Sequence, residues 1–228
     1  MKGPRQLGLA FGKPVYKWGG RREGAGRKPG KRKYVLHEAR PFHEAALPVH
    51  VTWRFVDGLP PLRRQHVADK VMDAIAASKK ETFRVCHFSI QGNHLHCIVE
   101  ATSKRALSRG MQGLAVRIAR GVNGVLEREG QVFAERYHAR ELGSPREVKN
   151  CLDYVLLNSA KHARLRRGEF VMDPLTSGAW FTDWKWQPFV TPTRACPVAA
   201  PRTYLLRTGW KRHGLVDPEK VPGPARPD

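Results

Sequence analysis

Two histidines, His94 and His96, sit two residues apart in Gly92-Asn93-His94-Leu95-His96-Cys97-Ile98-Val99. About sixty residues later, Tyr154 and Asn158 sit four apart in Cys151-Leu152-Asp153-Tyr154-Val155-Leu156-Leu157-Asn158. On a strand, residues i and i+2 share a face, so both imidazoles project together. On a helix, i and i+4 share a face, so the phenol and the amide do too. Two imidazoles and an amide oxygen can hold a divalent cation, with a phenol placed to attack whatever the cation polarises. In a chain of formal charge +21, that set points to a nuclease or strand-transfer enzyme acting on nucleic-acid phosphate.

The charge comes from 41 Lys and Arg against 20 Asp and Glu. Such an excess implies a polyanionic partner. No apolar run approaches the ~20 residues of a spanning helix, so nucleic acid is favoured over membrane. Cys86, Cys97, Cys151 and Cys196 form no C-x-x-C pair, which argues against a disulfide scaffold or a cysteine zinc site. A reducing, cytoplasmic setting is expected.

Three regions follow along the chain. Residues 1–48 carry 12 Lys and Arg against three acids, or +9, and have little apolar surface. They read as a disordered basic arm, with Arg21, Arg22, Arg27 and Lys28 as candidate phosphate contacts. Residues 49–162 read as the folded domain. Val51, Trp53 and Phe55 alternate with His50, Thr52 and Arg54, which predicts a strand. A helical stripe follows over Arg64–Lys80. Two strands, Phe83–Gln91 and Asn93–Ala101, flank a tight turn at Gly92-Asn93. A second helix is expected over Ser103–Arg128, its continuity put in question by four interior glycines. Val132–Leu142 reads as a fourth strand. Ser144-Pro145-Arg146-Glu147 marks the start of the helix that carries Tyr154 and Asn158. Residues 163–228 read as a basic, Trp- and Pro-rich extension without its own core, with one short helix docking back near Tyr204–Gly214.

The β–α–β–β–α–β order predicts an α+β domain: an antiparallel sheet of ferredoxin-like or RRM-like type with helices on one face. The motif residues resemble those of the single-tyrosine HUH transposases, in particular the REP-associated tyrosine transposases. His94-Leu95-His96 fits the His-hydrophobic-His signature. Tyr154 and Asn158 match the Tyr of that family's helix and the Asn or Gln four residues later. His50-Val51-Thr52-Trp53-Arg54 is similar to its first strand, and residues 132–140 to the segment before its catalytic helix. The resemblance spans roughly residues 49–162. Ser159 stands where members often carry Pro, and Phe133 where a Trp is common.

The resemblance implies an HUH endonuclease domain in which His94, His96 and Asn158 bind Mg²⁺ or Mn²⁺. It implies Tyr154 as nucleophile, a covalent 5′-phosphotyrosine and a free 3′-hydroxyl. The implied partner is single-stranded, hairpin-forming DNA, handled by a monomer or homodimer, in a bacterial cytoplasm and nucleoid-associated when bound. Arg54 and Arg140 are weaker candidates for phosphate contacts. Tyr137 is a second possible nucleophile, although packing on a strand fits it better. His162 is a candidate for assisting proton transfer, and no residue is singled out as the group that activates the tyrosine. Two other classes compete. An RRM-like module would bind nucleic acid without chemistry, its histidines incidental. A zinc hydrolase would need Cys86 or Cys97 beside the histidines, yet Cys97 adjoins His96 and so faces the other way.

Overall fold

A computed structural model of the chain describes residues 43–163, 171–186 and 192–220, with side chains of the Tyr154 helix described as far as Asn158. Alternation decides the first strand. In β1 (Val49–Arg54), Val49, Val51 and Trp53 are buried against the main core, while His50, Thr52 and Arg54 take the other face. α1 (Gln65–Ala76) buries Val67, Val71, Ala74 and Ile75, the stripe its spacing predicts. β2 (Phe83–Ile90) and β3 (His94–Ala101) form a hairpin, closed by Gln91 N–H donating to the His94 carbonyl at 2.8 Å.

α2 runs unbroken from Lys104 to Val125, capped by Ser103 Oγ, which accepts from the Ala106 N–H. Two of its interior glycines permit close packing instead of breaking it. Gly110 lies so close to the Phe83 ring that a Cβ would overlap it, and a Cβ on Gly121 would meet Lys70 Cβ of α1 at 3.1 Å.

β4 is His138–Glu141, much shorter than the Val132–Leu142 span expected. Phe133 and Tyr137 both pack on Trp53, with ring centroids 4.7 and 5.5 Å away. Residues four apart on a continuous strand are spaced ~13 Å, so gathering both on one indole forces the chain out of the ladder between them. Tyr137 therefore precedes the strand and sits in the Trp53 cluster.

The sheet order is β2-β3-β1-β4, antiparallel throughout, with Thr52 opposite His96, Arg54 opposite His94 and His50 opposite Arg140. α1 and α2 cover one face. The expectation of helices on that face alone is corrected by α3 (Pro145–Ala163), which covers part of the other. Its stripe of Val148, Cys151, Leu152 and Val155 needs apolar cover, and Ile98 and Cys86 supply it from the face that also carries His96. The start of α3 is a shifted capping box: Ser144 Oγ accepts from Glu147 N–H at 3.2 Å, and Glu147 accepts at 3.0 Å from the N–H of Gly143, one residue before the cap.

The described parts of the C-terminal region have no separate core; they complete the one beneath α3. Trp184, Leu206, Trp210 and Val216 are buried there, on a short helix α4 (Tyr204–Arg207), a 3₁₀ turn (Gly209–His213) and the loops around them. The Glu100 carboxylate on β3 accepts from Arg202 N–H, Thr203 N–H and Thr203 Oγ–H, which fixes the start of α4. The outer edge of β2 is covered as well: Ile90 N–H donates to the Leu175 carbonyl and Ala199 N–H to the Val85 carbonyl. An edge strand sealed in this way does not template pairing with other chains. No described helix is long and apolar enough to cross a membrane.

Candidate active site

α3 crosses the sheet so that Cys151 and Val155 pack over Ile98, and Tyr154 then lies over the next same-face residue of β3, His96. Tyr154 Oη is 3.4 Å from His96 Nε2, and the rings meet edge to face with centroids 5.1 Å apart. The other nitrogen of His96, Nδ1, is 3.2 Å from Thr52 Oγ1 on β1. If Thr52 accepts, Nδ1 carries the proton and Nε2 turns a lone pair toward the phenol. His94 stacks near-parallel to His96, with centroids 6.4 Å apart, and its Nδ1 is 2.7 Å from Asn93 Oδ1. Asn158 lies one turn beyond Tyr154, is only 3 % exposed, and its amide favours the ionised form of the phenol.

His50 completes the cluster. It stacks on His96 at 5.6 Å and meets Tyr154 edge-on at 6.0 Å. It belongs to the same alternating set as Thr52 and Arg54, so its face could be read from sequence. Its neighbours could not, because they depend on the pairing register of β1 with β3 and β4.

Burial dominates the electrostatics. It holds His96 down to about 4, assisted by His50 and His94. It holds His50 down to about 4, assisted by the Arg140 guanidinium. His94, more exposed, is lowered by burial and by Arg54, against a smaller opposing pull from Glu135. All three imidazoles are therefore neutral near pH 7, the form that can ligate a metal. The Tyr154 phenol is raised above its ordinary 10 by burial and Cys151, with the Asn158 hydrogen bond opposing. The resting site favours the phenol over the phenolate.

Two neutral imidazoles on one face, with the Asn158 amide one helical turn beyond the phenol, are donor types compatible with a divalent cation that completes its shell with water or substrate oxygen. Among the described residues no group of three His, Cys, Asp or Glu gathers as a metal site, so a cation held by the two imidazoles would draw its oxygens from Asn158, water or substrate. Cys97 is fully buried on the far face, where Val51 is its cross-strand partner, and burial pushes its thiol well up. Burial also pushes the Cys151 thiol up, to about 12. Neither is placed to join the histidines as a thiolate.

Arg54 and Arg140 stand at the rim. Arg54 is 3.1 Å from Asp57, and Arg140 is 3.8 Å from Glu147. Arg21, Arg22, Arg27 and Lys28 of the basic arm lie outside the described residues, as does the side chain of His162.

No protein-family model matches the chain. No curated protein matches it either. Among solved structures, one of a REP-associated tyrosine transposase bound to a REP hairpin aligns with 58% of this chain and 78% of that chain, at 13% identity and a TM-score of 0.45. The side chains of this chain, rather than that backbone likeness, carry the functional reading.

Proposed function

We propose that this chain cleaves and rejoins DNA strands by transposase-like phosphoryl transfer, with Tyr154 as nucleophile. The observation that carries the reading is the 3.4 Å approach of Tyr154 Oη to His96 Nε2 on a sheet face that also holds His94. The Oη–P bond forms as the P–O3′ bond breaks, giving a 5′-phosphotyrosine and a free 3′-hydroxyl. The proton lost by the phenol is matched by one gained at the 3′-oxygen. Because the new ester conserves the phosphodiester bond, the reaction reverses onto another 3′ end without a nucleotide cofactor.

His94, His96 and Asn158 would hold Mg²⁺ or Mn²⁺. Such an ion supplies Lewis-acid polarisation of the scissile phosphate and favours the phenolate that burial disfavours. Thr52 orients the His96 ring, Asn158 orients the phenol, and Arg54 and Arg140 favour approach of the anionic strand. The proposed partner is single-stranded DNA that forms hairpins, engaged by a monomer or homodimer in a bacterial cytoplasm. The basic arm would add phosphate contacts without base readout.

A non-catalytic nucleic-acid-binding module is the competing reading. It draws on the raised Tyr154 phenol, which shows no activation in the resting site. Incubating the protein with hairpin-bearing single-stranded DNA and Mn²⁺ separates the two. A denaturation-resistant protein–DNA adduct supports phosphoryl transfer, and its absence with intact DNA binding supports the binder.

A further inference from the structure

Among the described residues, His50 Nε2 is buried without a hydrogen-bond partner. Leaving a polar nitrogen unsatisfied is destabilising, and most buried polar groups in folded proteins avoid it. Exceptions are expected at functional or strained sites, or where water or an ion supplies the partner. His50 is such a case by position: it stacks on His96, meets Tyr154 edge-on, and faces Arg140 across the β1–β4 ladder.

The chemistry of the missing partner follows from these neighbours. An imidazole that carries its proton on Nε2 donates from that atom, and the partner of that tautomer accepts a hydrogen bond. It must also be attracted by the Arg140 guanidinium, which makes it an anion. Arg140 is 63% exposed and holds Glu147 only at 3.8 Å; an exposed, long ion pair of this kind is easily exchanged for another anion. We propose that His50 Nε2–H and Arg140 form a phosphate-oxygen subsite beside Tyr154, taking a non-bridging oxygen of the nucleic-acid backbone. The ligand class rests on the phosphoryl-transfer reading of Tyr154, whereas the binding does not require the chemistry to occur.

Two measurements test the subsite. The first follows the His50 ring nitrogens by ¹⁵N NMR while the full-length protein is titrated with a single-stranded oligonucleotide, without added metal. The Nε2 signal should move saturably, and Arg140→Gln should weaken that response. A His50 signal indifferent to the oligonucleotide overturns the proposal. The second compares His50→Phe, which keeps the ring and its stacking but removes both nitrogens, with His50→Gln, which restores an N–H donor.

His50→Phe should melt no lower than the wild type and bind Mn²⁺ equally well. Its adduct formation should slow on the order of a hundredfold, the usual effect of deleting one oxyanion donor. His50→Gln should recover at least about tenfold of that loss. An unchanged rate in His50→Phe contradicts the subsite. Loss of Mn²⁺ affinity in His50→Phe also contradicts it, by making His50 a positioning residue for His96. If the wild type forms no adduct, the Tyr154 reading fails, while the NMR titration and its Arg140 dependence still decide the subsite.

Discussion

Thr52 and His96 are direct cross-strand partners, and Thr52 Oγ1 lies 3.2 Å from the His96 nitrogen that does not face Tyr154. One ring nitrogen is thereby assigned to the sheet and the other to the site. Thr52→Val keeps the branched shape and removes the oxygen. Stability should fall by about 1–3 kcal/mol, because the buried His96 Nδ1 is left without a partner. Mn²⁺ affinity and adduct formation should fall by roughly 10- to 100-fold, as for outer-shell partners of ligating histidines. Calorimetric metal titration checks this, and unchanged affinity would show that Thr52 does not orient the ring.

The two proposed imidazole ligands should separate in stability. His96 is 8% exposed with both nitrogens engaged, whereas His94 is only partly covered. His94→Ala should remove metal-dependent cleavage at little cost in stability. His96→Ala should remove cleavage and also destabilise, by about 1–3 kcal/mol for the partners it strands. Urea unfolding beside the cleavage assay reads both. Normal Mn²⁺ binding in the doubly substituted protein would rule out the metal site.

His87, buried against Phe181 with Ser177 Oγ 3.4 Å from its Nδ1, is held down to about 4 by burial alone. Its unfolded pKa is near 6.5. Between about 4 and 6.5 the unfolded chain binds this proton and the folded chain does not, so stability falls as pH falls through that window. Above 6.5 neither state binds it, and the dependence vanishes. One such group contributes a slope of at most ~1.4 kcal/mol per pH unit. His87→Leu should therefore flatten the acid limb of stability against pH, measured by urea unfolding from pH 7 to 4.5. An identical limb in the variant would remove His87 as a cause.

Gly110→Ala and Gly124→Ala should have opposite signs. Alanine is favoured over glycine in a helix by about 1 kcal/mol, but at Gly110 the new methyl overlaps the Phe83 ring. Overpacking costs ~1–3 kcal/mol, so Gly110→Ala should destabilise. At Gly124 nothing lies within 4 Å, so the propensity gain stands alone and Gly124→Ala should raise the melting temperature. Equal shifts would mean that α2 does not press on Phe83.

The parts of the site written in local periodicity were legible in the sequence: the shared face of His94 and His96, the shared face of Tyr154 and Asn158, and the cap at Ser144. The hairpin at Gly92 and the stripe of α1 were legible for the same reason. Contacts that depend on which strand lies beside which were hidden. Thr52 and His50 enter the site only through the registers of β1 with β3 and β4. The break before β4 comes from Trp53 drawing in Phe133 and Tyr137, a tertiary contact that overrides strand pattern. The docking of Tyr204–Gly214 was legible in its periodicity, but the surface that Leu206 and Trp210 meet was not, because it is formed by α3 and the far face of the sheet.

The most direct measurement of the central claim compares wild type with Tyr154→Phe, using hairpin-bearing single-stranded DNA and Mn²⁺. The substitution keeps the ring against His96 and His50 and removes only the oxygen that lies 3.4 Å from His96 Nε2. The wild type should form a denaturation-resistant adduct, and the variant should bind the DNA with similar affinity but form none. An adduct from Tyr154→Phe at the wild-type rate would contradict the assignment of the nucleophile.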